Sequence, residues 1–131
     1  MAYLKPSGFT MRVFNPIAMR FGIGGSETLT VRKRRTGQLQ RVPLLPVEHD
    51  GARYLVSARG ETEWVRNLRV AGDAELRGNN ETERIRATEV PVEERPPIIA
   101  AYQKRAGKTV ASLFKKLPEA ADHPIFLIEP R

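Results

Sequence analysis

Cysteine is absent from this 131-residue chain. That excludes disulfides, thiolate metal sites and a thiol nucleophile. Histidine is nearly absent too: His49 and His123 are the only two, far apart in sequence. A histidine-rich metal site is therefore not expected, and each histidine reads as a structural or surface residue. Aromatic residues make up 7% of the chain, with a single tryptophan. No run approaches the ~20 apolar residues that a membrane span needs. Lys5 and Arg12 are not followed by a long apolar core, so no signal peptide is expected. Acid is in deficit: 15 carboxylate residues face 22 lysines and arginines, for a net charge of +7. The expectation is a cytoplasmic protein, one domain over residues 1–131, whose partners are polyanionic: a phosphorylated cofactor, nucleic acid or an anionic membrane face.

What the chain does have is a concentrated positive run. Arg32-Lys33-Arg34-Arg35-Thr36-Gly37-Gln38-Leu39-Gln40-Arg41 carries five cations, one glycine and no acid. Polar and apolar residues alternate over Glu27–Lys33, which predicts a half-buried strand, and Thr36-Gly37 is the turn after it. A second strand is expected over Val42–His49, with Pro43 and Pro46 marking an edge, a bulge or unpaired backbone that meets a ligand. Asp50-Gly51 is a two-residue hairpin turn leading into a third strand, Arg53–Ala58. These three are expected to be antiparallel neighbours.

A helix is predicted from Thr62, its N-cap, to Ala71, closed by Gly72, with Trp64, Asn67, Leu68 and Ala71 on one face. Two strands follow, Ala74–Arg77 and Glu83–Val92, around Gly78-Asn79-Asn80. Pro96-Pro97 opens a helix through Ala106, Thr109 caps another, and Pro124–Glu129 is the last strand. Met11–Gly22 has helical spacing as well. It reads as a core helix, a lid (residues 1–26) or a weak membrane-surface contact. About six short strands with peripheral helices point to a mainly β, α+β protein built on a small antiparallel barrel.

No acid/base constellation assembles. Glu93-Glu94 sits at a helix start, where it favours the macrodipole. If the chain is an enzyme, a bound cofactor carries the chemistry. The basic turn supplies the grip for it: Arg34, Arg35 and Arg41, with amides around Thr36 and Gly37, suit a phosphate. Nucleic acid is the competing anion. Small barrels that bind single strands need aromatics interleaved with the cations, and here most aromatics fall on predicted helices or buried strands.

Arg34-Arg35-Thr36-Gly37-Gln38, Pro43-Leu44, Ala58-Arg59-Gly60, Trp64 and Asn67-Leu68-Arg69, in this order and spacing, resemble the deazaflavin-dependent nitroreductase family. The resemblance implies a split β-barrel related to FMN-binding flavoreductases. It implies binding of coenzyme F-420, an 8-hydroxy-5-deazaflavin, with FMN as the alternative. The reaction it implies is hydride transfer from the reduced cofactor to a small lipophilic acceptor: a quinone, a nitroaromatic or an unsaturated carbonyl compound. Carried over, Arg34, Arg35, Thr36 and Gly37 hold the phosphate and acidic tail, and Pro43 and Leu44 face the ring. Ala58, Arg59 and Gly60 meet the ring and the phosphate-bearing chain, while Trp64 and Asn67 brace the pocket. The family commonly has proline then arginine where this chain has Leu39 and Gln40, with Arg41 one place later. Either Gln40 or Arg41 then takes the phosphate-side place.

Overall fold

The structure is a computed structural model, described for residues 25–131; the helix expected over 11–22 lies outside the described residues. Seven strands form one antiparallel sheet: β1 (Glu27–Arg32), β2 (Leu39–Leu44), β3 (Val47–His49), β4 (Ala52–Val56), β5 (Asp73–Gly78), β6 (Glu81–Glu89) and β7 (Ile125–Pro130). Their order across the sheet is β2-β1-β5-β6-β7-β4-β3.

This order corrects the expected second strand. Val42–His49 is two strands, not one, and they lie at opposite ends of the sheet. The break falls at Leu45-Pro46, where proline has no amide to donate and restricts the residue before it. So the first three expected strands are not all neighbours: β2 pairs with β1, and β3 with β4. Pro43 sits within β2, opposite Thr28, and is tolerated because β2 is an edge.

The break also shows that the sheet is curled. Seven flat strands would set their outer members about 29 Å apart. Yet β2 ends at Leu44 and β3 begins at Val47, and three residues reach at most about 11 Å. The two edges must therefore approach one another, and the sheet is a split barrel.

Strand alternation gives the barrel two cores. Leu29, Val31, Val42, Leu55, Leu76, Ile85, Phe126 and Ile128 face inward and are covered by α1 (Glu63–Ala71) through Trp64, Val65 and Leu68. Val47, Val56 and Ile125 face the other way, against Ile98 and Tyr102 of α2 (Pro96–Ala106) and Val110 and Phe114 of α3 (Lys108–Lys116). The helix boundaries agree with the expected ones, except that α3 begins one residue before Thr109. Its cap is Gly107, at φ 64°. The Asp50-Gly51 and Asn79-Asn80 turns have positive φ at both central residues, as tight hairpins require.

Gly78 ends β5 against the buried Glu27 of β1. A Cβ there would lie 2.7 Å from Glu27 Cγ. Gly78→Ala is expected to cost about 1–3 kcal/mol by overpacking, read as a lower urea midpoint.

Candidate cofactor site

The basic run is the connection between β1 and β2. The Lys33 amide donates to Gln38 O at 2.7 Å and the Gly37 amide to Lys33 O at 3.0 Å. The Arg32 guanidinium reaches Gly37 O at 3.3 Å, and the Gln38 amide donates to Thr36 Oγ1 at 3.2 Å. Gly37 has φ 79°, a conformation open to glycine at no steric cost. These bonds occupy the Gly37 and Gln38 amides inside the turn. Attraction for an anion therefore comes chiefly from the side chains.

Helix α1 fixes those side chains. Asn67, 2% exposed, accepts the Arg34 amide at 3.0 Å and Arg34 Nη1 at 2.8 Å through one oxygen. Its nitrogen donates to Gln40 Oε1 at 2.7 Å. Arg34 Nη1 also donates to Glu63 Oε1 at 2.8 Å. The hydrogen bond from Arg34 holds the Glu63 carboxyl below its ordinary 4.5. Slight burial opposes this, and the charges of Arg34, Arg66 and Arg35 add to it. Three guanidinium groups thus gather around the start of α1. Glu63 and Arg66 were not singled out from the sequence, whereas Gln40 was, as the alternative to Arg41. The signal for both was there: Arg66 and Asn67 stand three and four residues after Glu63, on one helix flank.

Gln40 and Arg41 lie on opposite faces of β2. Gln40 shares the side of the buried Val42 and Leu44, while Arg41 is exposed with Leu39 and Pro43. Gln40 is engaged by Asn67, so Arg41 is the member of the pair that presents charge outward.

The second expected element is a corner after β4. Ser57 Oγ donates to Gly60 O at 2.6 Å, and the Thr62 amide donates to the same oxygen at 2.9 Å. Ala58 and Gly60 are buried and Arg59 is half-buried. Burial pushes the Tyr102 phenol up to about 12, and the charge of Arg59 pulls the other way. Tyr102 itself belongs to the second core, 6.2 Å from the Phe114 ring. Trp64 is in the first core, 6.1 Å from Phe126. It anchors α1, not an open wall.

The two elements connect through the start of α1. Glu63 is three residues along the chain from Gly60, a reach of about 11 Å at most, and Glu63 is bonded to Arg34. A phosphorylated, acidic cofactor fits this donor set. Arg35 and Arg41 are exposed, Arg34 and Arg66 are partly exposed, and no acid in the turn opposes them. Among the described residues, no group of three or more His, Asp or Glu side chains is placed to hold a metal ion.

Solved structures share this fold. An F-420-H2-dependent reductase, FDR-A, is 21% identical with a TM-score of 0.60, over 79% of this chain and 93% of that one. A protein of unknown function from Agrobacterium tumefaciens str. C58 is 22% identical with a TM-score of 0.60, over 80% of this chain. This chain covers 48% of its length. The heme storage protein HutZ from Vibrio cholerae is 15% identical with a TM-score of 0.60, over 81% of each chain. The architecture is thus the split barrel of F-420-dependent reductases, and heme proteins use it as well, so fold alone does not select a cofactor. Sequence does. Residues 9–118 match the F420H(2)-dependent quinone reductase family. The chain belongs to that family, a group of coenzyme F-420-dependent oxidoreductases acting on small-molecule acceptors, as the resemblance to the deazaflavin-dependent nitroreductases implied. No curated protein matches the sequence closely.

Proposed function

We propose that this chain binds coenzyme F-420 across the Arg34–Arg41 turn and the Ala58–Gly60 corner, and reduces a lipophilic quinone-like acceptor. The observation that carries this reading is Arg34 held at the start of α1 by the buried Asn67 and by Glu63, with the charges of Arg35 and Arg66 acting on the same carboxylate. Arg34, Arg35, Thr36 and Gly37 hold the phosphate and acidic tail, with Arg41 on the exposed face of β2, opposite to Gln40. Pro43 and Leu44 approach the ring from the same edge strand. Ala58, Arg59 and Gly60 complete the site, while Trp64 and Asn67 support it from behind.

When bound, the reduced deazaflavin supplies a hydride to the acceptor. The residues of this chain bind and orient. Arginine forks suit the phosphate bidentately, and the buried base beneath them keeps the turn in one geometry. Nitroaromatics and unsaturated carbonyl compounds belong to the same acceptor class as quinones. A nucleic-acid role gains no support. Trp64, Tyr102, Phe114 and Phe126 are buried and Tyr54 is half-buried, so the described residues lack a stacking platform. Cytoplasmic location and peripheral membrane contact through residues 11–22 belong to the same proposal. None of the described helices is long and apolar enough to cross a membrane.

Arg35→Ala tests the site. Arg35 is exposed, so its loss is expected to leave Tm nearly unchanged. F-420 affinity should fall by about 1.5–3 kcal/mol, the value of a charged hydrogen bond. Equal Kd values for variant and parent would refute the assignment.

A further inference from the structure

We infer that His123 is a positioning residue that sets the Ser57–Gly60 corner for the cofactor, an inference resting on the placement of Ala58, Arg59 and Gly60 in the site. His123 is 0% exposed. Its ring stacks on Phe114 of α3, with centroids 4.1 Å apart and planes inclined by 23°. Nδ1 lies 2.9 Å from Ser57 O, and Nε2 lies 2.6 Å from Leu117 O at the end of α3. Both partners are backbone carbonyl oxygens, which accept from the ring, and the tautomer sets which nitrogen donates.

Ser57 opens the corner, and its polar groups are all engaged. Its amide donates to Pro124 O at 3.0 Å, its carbonyl meets His123, and its hydroxyl closes the corner on Gly60 O. The other end of the corner is tied as well. Glu61 follows Gly60 and accepts from Arg69 at 3.0 and 3.1 Å. Arg69 also donates to Glu89 of β6 at 2.7 and 2.8 Å. Arg95 then joins Glu89 to the His123 carbonyl, each at 3.4 Å. The contacts make a closed circuit, Ser57–His123–Arg95–Glu89–Arg69–Glu61, which returns to Gly60 through the chain. Residues 58–60 are held at both ends by a single network. His123 meets the corner through its hydrogen bond at Ser57 O, so it acts by orienting the corner.

Two isosteres separate this role from simple packing. In His123→Asn the amide nitrogen takes roughly the place of Nδ1 and keeps a donor for Ser57. In His123→Gln it reaches toward the place of Nε2, keeping the Leu117 contact and losing Ser57. Both lose the ring on Phe114, so both are expected to lower Tm. F-420 Kd, measured by fluorescence titration of the full chain, is expected to rise about tenfold in His123→Gln and less than about threefold in His123→Asn. Equal changes in the two variants, no change in either, or the reverse order would overturn the inference. Should either variant fail to fold, Ser57→Ala removes only the hydroxyl tie to Gly60. It is expected to weaken F-420 binding several-fold, and an unchanged Kd would overturn the inference equally.

Arg59→Ala distinguishes the two levels of the claim. If it weakens binding while His123→Gln does not, the positioning role fails alone. If Arg59→Ala leaves Kd unchanged, the placement of the corner in the site fails and takes the inference with it.

Discussion

Replacing Asn67 by alanine is expected to destabilise the protein by about 2–4 kcal/mol and to weaken F-420 binding at least tenfold. Asn67 is buried and makes three hydrogen bonds, two from Arg34 and one to Gln40. One of the three involves a charged group, which is worth about 1.5–3 kcal/mol, and removing another strands the Arg34 amide at a cost of about 1–3 kcal/mol. The contributions overlap, so they do not simply add. The binding loss has a different origin. Without Asn67, the Arg34 amide and Gln40 lose their tie to α1, Arg34 keeps its bond to Glu63, and the cofactor must order more of the turn itself. Urea unfolding and a cofactor titration on the same variant read both effects. A loss below about 1 kcal/mol would mean that Asn67 does not organise the turn.

Arg95→Ala is expected to cost about 3–5 kcal/mol, the range for breaking a buried ion pair. The Arg95 side chain is 6% exposed. It donates to Val90 O at 2.9 Å, Ala120 O at 3.3 Å, His123 O at 3.4 Å and Glu89 at 3.4 Å. Burial lowers the guanidinium pKa, and the charge of Glu89 opposes that fall. Three carbonyls and a carboxylate lose a donor together when it is removed. The penalty should depend on pH. Glu89 is held below its ordinary 4.5, first by its hydrogen bond to Arg69 and also by the charge of Arg95, against the pull of burial. The ion-pair contribution is therefore complete above pH 4.5 and is lost as pH falls through the lower folded value. Denaturation series at neutral and acid pH should show the gap between variant and parent narrowing. A gap that stays constant would assign the cost to packing alone.

Local signals carried much of the fold. Asp50-Gly51, Gly72 and Pro96-Pro97 each dictate a turn, a helix end or a helix start by their own backbone chemistry. The basic turn was visible for the same reason: five cations and a glycine stand within ten residues. The division of Val42–His49 was not visible. Pro43 and Pro46 carry the same local restriction, yet one lies inside β2 and the other marks the gap before β3. Only the pairing partners, Thr28 for Pro43 and none across the gap, tell them apart.

Of the candidate site, one contact between motif residues was foreshadowed by the sequence and the others were not. The motif residues Arg34 and Asn67, 33 positions apart, are in direct contact, as a brace of the turn requires. Glu63 and Arg66 escaped notice because a charged pair on a helix reads as a solvated face until its neighbour is known. His123 and Ser57 are 66 positions apart, and neither carries a pattern of its own. Their contact depends on β4 lying beside β7 in a register that no local rule supplies.

On the proposed reading, the clustered positive charge serves a deazaflavin cofactor. The most direct measurement is a titration of the purified chain with coenzyme F-420, FMN and a labelled single-stranded oligonucleotide, each at low and high salt. The expected result is saturable F-420 binding at micromolar concentration, weaker FMN binding and little oligonucleotide binding at high salt. Absence of F-420 binding, together with tight oligonucleotide binding that falls steeply with salt, would contradict it.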